Sequence, residues 1–345
     1  MTTAEIDIVA SHAAQFQPRR FLINGHLQTI MGNYLRRVND LPSPEAQLVE
    51  VSPATDNQIA SQVLCHCHWQ AEEVRATRPT AIIVHGLEGS SNSQYVVGNA
   101  NKLWRAGCNI IRMNMRNCGG TEALSPTLYH SGLSNDVLAV MKFFVAQHRL
   151  QSMSLIGYSM GGNLVLKLVG ELGTATPPEL RSVIGVSPAL DLGPSADALH
   201  RPQNRLYEFK FLRALLRRYR HKVVLFPRAY DPNVAVGIWS LREFDDRITA
   251  FYSGFAGADD YYYRAAAARV IDRIAVPTLI LHALDDPFVR ITDESCSKLE
   301  ANPNIRLVTT HHGGHCAFLA QPDADSGYDG YWAEHTLLRF LLANA

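Results

Sequence analysis

The chain has 345 residues, with 32 Lys and Arg against 32 Asp and Glu, so its formal charge at pH 7 is zero. Apolar residues make up 47% of the chain and charged residues 19%, a balance that supports a large core and excludes an intrinsically disordered protein. Balanced charge provides no global attraction to nucleic acid or to an anionic membrane. We therefore expect a small-molecule substrate and no nucleic-acid partner.

Membrane and secreted classes are also disfavoured. No run of apolar residues is long enough for a transmembrane helix, so no stable membrane anchor is expected. Glu5 and Asp7 lie where a signal peptide carries positive charge, and six cysteines are too few for a disulfide framework in a chain of this length. We expect a cytoplasmic protein with reduced thiols, and the sequence indicates no particular oligomeric state.

The predicted elements define an arm and one α/β domain. Residues 1–47, which contain three prolines, are predicted to form an N-terminal arm, and residues 48–345 the domain. Strands are predicted at 48–51, 62–69, 81–85, 109–113, 154–157, 182–187, 278–283 and 306–310, and helices near 95–106, 133–148, 160–171, 293–300 and 331–342. This alternation predicts a mostly parallel, doubly wound sheet of eight strands.

One region interrupts the alternation. Residues 188–258 contain five prolines and a basic helical segment at 213–220 (RALLRRYR). They lie between two predicted strands, so we expect an inserted helical cap and not a separate domain.

A candidate nucleophile follows the fifth predicted strand. Residues 157–161 (GYSMG) match the pattern G-x-S-x-G, with an apolar strand before them and a helical pattern after them. A sharp turn from strand to helix would expose the hydroxyl of Ser159, and glycines allow the close backbone approach that such a turn needs. The alternative is a glycine-rich turn with an incidental serine.

An acid and a base follow the serine in the order typical of serine hydrolases with this turn. Asp286 stands before a proline on the loop after the seventh strand, and His315 follows two glycines after the eighth. We assign Asp286 and His315 as the catalytic acid and base. Asp285 is the alternative acid, and the remaining histidines of this loop, His311 and His312, are expected to be packed or to face solvent.

Two backbone N–H groups are candidates for an oxyanion hole. One belongs to Met160, directly after the nucleophile, and the other to Leu87, on the loop after the third strand (85–90, HGLEGS). The alternative for this loop is a simple turn that ends the strand.

The motifs together resemble a known family, the YheT-like branch of the α/β-hydrolases, which comprises hydrolases and esterases related to animal α/β-hydrolase-domain lipases. The resemblance extends over about residues 21–340. It is carried by 24–29 (NGHLQT), 85–89 (HGLEG), 116–120 (RNCGG), 129–132 (YHSG), 157–161 (GYSMG), 242–245 (REFD), 285–288 (DDPF) and 313–315 (GGH). It implies the α/β-hydrolase fold and assigns the nucleophile, acid and base to Ser159, Asp286 and His315.

Two further patterns have simpler interpretations. Residues 65–68 (CHCH) contain metal-ligand types, but alternation along a strand separates the cysteines from the histidines, so no metal site is predicted. Arg213, Arg217, Arg218 and Arg220 form a basic patch, either a solvated helix face or a site for an acidic head group or bilayer surface.

The sequence therefore predicts a serine esterase that needs no cofactor. We expect it to cleave esters or lipid-like molecules with short- to medium-chain acyl groups through an acyl-enzyme intermediate. The alternatives are an acyltransferase or thioesterase with the same catalytic residues, or a binding protein that retains the fold without turnover.

Overall fold

A single eight-stranded sheet forms the centre of the computed structural model, which describes residues 16–56, 58–325 and 327–345. The strands are β1 (Glu45–Ser52), β2 (Ser61–His68), β3 (Thr80–Val84), β4 (Asn109–Met113), β5 (Met153–Tyr158), β6 (Leu180–Val186), β7 (Thr278–Ala283) and β8 (Ile305–Thr310). Their order is β1-β2-β4-β3-β5-β6-β7-β8, antiparallel at the β1–β2 and β2–β4 pairs and parallel elsewhere. All eight predicted strands and the mostly parallel sheet are confirmed.

The helices of eight or more residues cover both faces of this sheet and one of its edges. They are α1 (Gly25–Tyr34), α2 (Gln94–Arg105), α3 (Ser134–His148), α4 (Met160–Leu172), α5 (Leu192–Leu199), α6 (Arg205–Leu225), α7 (Ala258–Ala265), α8 (Asp293–Ala301) and α9 (Trp332–Ala343). The five helices predicted from the sequence correspond to α2, α3, α4, α8 and α9. None of the helices in the described ranges is long and apolar enough to cross a membrane.

Successive side chains of the central strands point to opposite faces of the sheet, and each face belongs to its own apolar cluster. In β3, Ile82 and Val84 belong to the cluster that includes α3 and α4, whereas Ala81 and Ile83 belong to the cluster that includes α2 and α9. All of β3 is buried, as expected for a strand covered on both faces. The apolar residues that recur at helical spacing in α3, Val137, Val140, Met141 and Phe144, are fully buried.

The chain between β6 and β7 forms no strand. It builds a helical layer over the carboxyl ends of the parallel strands. It contains α5, α6 and α7, the short helices Leu241–Phe244 and Phe251–Ser253, and a π-helical turn, Asp245–Ala250, between them. We propose that residues 188–258 act as the cap of a domain spanning 48–345. The arm predicted at 1–47 contains α1. Its first 15 residues, to which the expectation of no signal peptide refers, lie outside the described part of the chain.

The carboxyl ends of four parallel strands meet beneath this helical layer. The loops that follow β3, β5, β7 and β8 carry Leu87, Ser159, Asp286 and His315, respectively. In open α/β sheets, ligand sites form at this edge of the strands.

Candidate active site

Ser159 occupies a strained turn between β5 and α4. Its φ is +53° and its ψ is −116°, values that residues with a side chain rarely adopt. The turn is held because the Ser159 N–H donates to the Val186 carbonyl at 2.9 Å, while its own carbonyl accepts from the N–H groups of Asn163 and Ala189. Strain of this kind persists only where the surroundings enforce it, and it clusters at functional sites.

The glycines on either side of Ser159 are required by close packing. A Cβ on Gly157 would overlap the carbonyl of Gly161, and a Cβ on Gly161 would lie 2.5 Å from the carbonyl oxygens of Val84 and His85. Both glycines therefore let α4 begin directly against the strands. The packing explains the spacing of the G-x-S-x-G pattern.

The structure brings Ser159, His315 and Asp286 together in one chain of hydrogen bonds. Ser159 Oγ lies 2.9 Å from His315 Nε2, and His315 Nδ1 lies 2.7 Å from Asp286 Oδ2. The other carboxylate oxygen, Oδ1, accepts from the backbone N–H groups of Phe288 and Val289 at 3.0 and 2.9 Å. The carboxylate is thus fixed in orientation, and its side chain is fully buried.

Electrostatics in this group favour a charged acid and a basic imidazole. Burial opposes ionisation of Asp286, but the charge and hydrogen bond of His315 hold the pKa of this carboxyl below its usual value. Burial likewise opposes protonation of His315, yet the adjacent carboxylate of Asp286 raises the pKa of the imidazole well above 6.5. The imidazole is therefore suited to accept a proton from Ser159.

The alternative acid and histidines of these loops lie elsewhere. Asp285 Oδ1 accepts from the Gly314 N–H at 2.8 Å, and Asp285 Oδ2 lies 3.4 Å from His312 Nδ1. The His312 side chain is partly exposed and His311 is exposed. Asp285 thus fixes the loop that carries His315 and does not contact the imidazole of that residue.

The two predicted oxyanion donors line the same cavity as Ser159. Neither the Leu87 N–H nor the Met160 N–H has a hydrogen-bond acceptor among the described residues. The loop before Leu87 is fixed by His85, whose Nδ1 lies 2.8 Å from the Gly86 carbonyl and whose Nε2 accepts from the Met115 N–H at 3.1 Å. Burial lowers the pKa of His85 to about 4, so this support remains neutral.

Two cations on the inner face of α6 bind the cap to the sheet domain. Arg218 donates to Glu88 Oε1 and Oε2 at 2.9 and 3.1 Å and to Glu122 Oε1 at 2.9 Å. Lys222, fully buried, donates to the carbonyls of Glu122 and Ser125. The prediction that Arg218 belongs to a basic patch with Arg213, Arg217 and Arg220 was therefore wrong. Its position around the helix axis directs the side chain inward, away from solvent.

An apolar cavity of about 120 Å³ opens beside Ser159. Its walls come from both the sheet domain and the cap, and they include Leu128, Leu199, Phe211, Leu215, Phe244 and Phe288. The charged groups on its wall have protein partners. Arg218 is paired as above, and Asp245 accepts from Tyr262 Oη and Thr249 Oγ1, both at 2.8 Å.

The N-terminal helix α1 supports the loop that carries His315, a role that sequence reasoning missed. Thr29 Oγ1 accepts from the His315 N–H at 2.8 Å and donates to the Gly25 carbonyl at 2.7 Å. The Gln28 amide bridges the backbone of Leu319, accepting from its N–H and donating to its carbonyl. The only sequence signal for this support was the motif at 24–29, whose partners are almost 300 residues away.

Gly25 provides a test of this packing. Replacing Gly25 by alanine should lower the free energy of unfolding by about 1–3 kcal/mol, because the new Cβ would overlap the backbone carbonyl of Asp285. The matched control is Gly193→Ala, in α5, where no heavy atom lies within 4 Å of the added Cβ. Urea unfolding measures both changes, and equal stability of the two variants would contradict the packing.

The candidate metal ligands of β2 are separated as strand alternation requires. Cys65 and Cys67 are buried in the apolar cluster beneath the sheet. On the opposite face, His66 Nδ1 lies 2.8 Å from Ser91 Oγ, and His68 Nε2 accepts from Arg112 at 3.2 Å. Each histidine therefore already has a protein partner.

Similarity to known proteins shows to which class of proteins the chain belongs. Residues 79–322 match the model of the alpha/beta hydrolase fold family. The esterase Pf2001 of Pyrococcus furiosus has a similar structure, with a TM-score of 0.53 and 15% identity over 89% of this chain and 98% of that chain. This second likeness concerns the fold alone.

Closer relatives refine the class. A protein of Escherichia coli named "Putative esterase YheT" is 31% identical over 90% of this chain and 88% of its own length. The mouse protein named Phospholipase ABHD3 is 31% identical over 71% of this chain, which spans 59% of that protein. The chain belongs to the α/β-hydrolase fold family, in its YheT-like branch, and these relatives support a hydrolase activity.

Proposed function

We propose that the protein is a cytoplasmic serine hydrolase that cleaves carboxylic esters with short- to medium-chain acyl groups. The observation that carries the proposal is the hydrogen-bonded series from Ser159 through His315 to Asp286, at 2.9 and 2.7 Å. This arrangement matches the nucleophile, base and orienting acid of serine hydrolases. The proposed scheme uses no cofactor.

The proposed reaction has two halves. Ser159 Oγ attacks the acyl carbonyl while His315 takes the hydroxyl proton, and the N–H groups of Leu87 and Met160 bind the developing oxyanion. The C–O bond then breaks, and His315 gives the proton to the leaving alcohol. In the second half, His315 takes a proton from water while the water oxygen attacks the acyl-enzyme carbonyl. The bond between the acyl carbon and Ser159 Oγ then breaks, His315 returns the proton to Ser159 Oγ, and the acid is released.

The cavity supports an uncharged acyl group as the substrate portion near Ser159. Its lining is mostly apolar, and its one arginine, Arg218, is already paired with two carboxylates. The cavity of about 120 Å³ has room for a short or medium acyl chain beside Ser159. The relatives named esterase and phospholipase agree with an ester or lipid-like substrate.

The decisive experiment combines covalent labelling with a substrate panel. A fluorophosphonate probe should label the protein at Ser159, identified by peptide mass spectrometry, and p-nitrophenyl esters from acetate to palmitate should show a maximum between about four and ten carbons. Turnover with added alcohol or thiol acceptors separates hydrolysis from acyl transfer. Absence of labelling together with absence of turnover would leave a binding protein.

Thr29 is expected to act as a positioning residue for this reaction. Thr29→Val removes the acceptor of the His315 N–H, and a displacement of the imidazole by about 1 Å costs up to about 100-fold in rate. We expect kcat per titrated active site to fall by about 10- to 100-fold with little change in KM.

Thr29→Ser keeps the hydroxyl and is the matched control. It should restore most of the rate, whereas a purely structural role would show as fewer titratable sites with unchanged turnover per site. Titration with the fluorophosphonate before each assay distinguishes these results. Equal rates for the valine and serine variants would contradict the assignment.

A further inference from the structure

The outer face of α6 carries cations without compensating acids. Its exposed charged residues are Arg205, Lys210, Arg213, Arg217 and Arg220, and none of them forms an ion pair with any residue that the structure describes. The one acid of the helix, Glu208, is buried and interacts with His200 and the Leu241 N–H. Because the whole chain has no net charge, this face is a local concentration of positive charge.

Large apolar side chains are exposed beside these cations. In α6, Leu206 is 84% exposed and Phe209 is 64% exposed. On α1, Leu27, Ile30 and Tyr34 are also exposed, at the i, i+3 and i+7 spacing that places them on one side of the helix. Single exposed apolar residues are ordinary, but a group of them next to unpaired cations is not.

Contacts between the two helices make these residues one surface. The rings of His26 and Tyr207 stack with centroids 5.8 Å apart, and His26 Nδ1 lies 3.3 Å from Tyr207 Oη. Further along both helices, Lys210 Nζ lies 5.7 Å from the centre of the Tyr34 ring. We call the exposed residues of these two helices the α1–α6 face.

We propose that the α1–α6 face docks on a lipid surface that carries anionic head groups. Cations attract such head groups, and adjacent leucine, isoleucine and aromatic side chains enter the boundary between head groups and acyl chains. A nucleic acid would use the cations but would leave the apolar side chains in water, so the lipid surface fits the whole face. The opposite side of α6 lines the cavity beside Ser159 through Phe211 and Leu215, so docking would place this cavity close to the lipid.

Vesicle co-sedimentation tests the proposal with the full chain. We expect binding to vesicles of phosphatidylcholine with 30% phosphatidylserine, little binding to phosphatidylcholine alone, and weaker binding in high salt. The triple variant Arg213→Gln/Arg217→Gln/Arg220→Gln should lower the partition coefficient by about 100-fold, at about fivefold per cation. Leu206→Ser/Phe209→Ser should lower the binding that remains in high salt.

A triple variant elsewhere on the surface provides the control. Lys142→Gln/Arg181→Gln/Arg273→Gln removes three exposed cations from outside the face and changes the net charge equally. It should bind vesicles like the parent protein, and both triple variants should keep the parent's melting temperature and its turnover of a soluble ester. Equal loss of binding in the two triple variants, equal binding to neutral vesicles, or binding to duplex DNA without binding to vesicles would overturn the proposal. Because the readout is binding, it is independent of the outcome of the ester assays.

Discussion

Ser159→Ala should lower kcat/KM for p-nitrophenyl butyrate by about 10⁴- to 10⁶-fold, the loss that follows removal of the nucleophile in serine hydrolases. The alanine keeps the backbone of the turn, whose bonds to Val186 and Asn163 do not involve the hydroxyl. The melting temperature should therefore change little. Residual activity would come from the oxyanion donors and from substrate binding.

Ser297→Ala is the matched control for this substitution, because Ser297 is exposed in α8 and its hydroxyl contacts only its own helix. It should retain full turnover and full fluorophosphonate labelling. Activity of Ser159→Ala within tenfold of the parent would exclude Ser159 as the nucleophile. Labelling of Ser159→Ala at another serine would exclude it as well.

Asp286→Asn should lower kcat by about 10⁴-fold, because an amide cannot hold the imidazole of His315 in the tautomer that accepts a proton at Nε2. It should also shift the pH dependence. The Asp286 carboxylate raises the pKa of His315, so its loss leaves burial, which lowers that pKa, as the dominant influence. Since the reaction needs a neutral imidazole, the acid limb of kcat/KM should move to lower pH in the variant.

Asp285→Asn separates the two adjacent acids. Its amide oxygen can still accept from the Gly314 N–H, so turnover should fall by less than about tenfold and the acid limb should stay in place. pH–rate profiles of both variants, measured with a soluble ester, give the comparison. A larger loss in Asp285→Asn than in Asp286→Asn would reverse the assignment of the acid.

The sheet was predictable because its signals are local. Continuous apolar runs such as that of β3 and periodic stripes such as that of α3 need no knowledge of distant residues. The order of Ser159, Asp286 and His315 was also readable, since each follows a strand whose carboxyl end lies at the same edge of a parallel sheet. The G-x-S-x-G pattern predicted the turn because the atoms that its glycines contact are close at hand. Gly157 packs against backbone four residues later, and Gly161 packs against the end of the adjacent strand β3.

The parts that escaped prediction depend on contacts between distant segments. Thr29 and His315 are 286 residues apart, and nothing local in the segment around Thr29 indicates its partner. Arg218, Arg217 and Arg220 lie on the same helix and differ only in their angular position around its axis. The sequence does not specify which side of this helix faces the sheet domain. In the sequence, the Arg218 partner Glu88 is only one residue of a glycine-rich loop. A single sequence does not show which acidic side chain pairs with which basic side chain.

The ion pair between Arg218 and Glu88 joins α6 to the loop that carries a proposed oxyanion donor. Glu88 directly follows Leu87, and its carboxylate accepts from Arg218 on α6 and from Tyr129 Oη. Its N–H also donates to Tyr129 Oη at 3.3 Å, so the loop keeps a partner outside α6. Glu88 is therefore shared between the helical layer over the cavity and the loop beside the nucleophile, and a substitution of Arg218 on α6 would reach this loop through one carboxylate without touching the substrate.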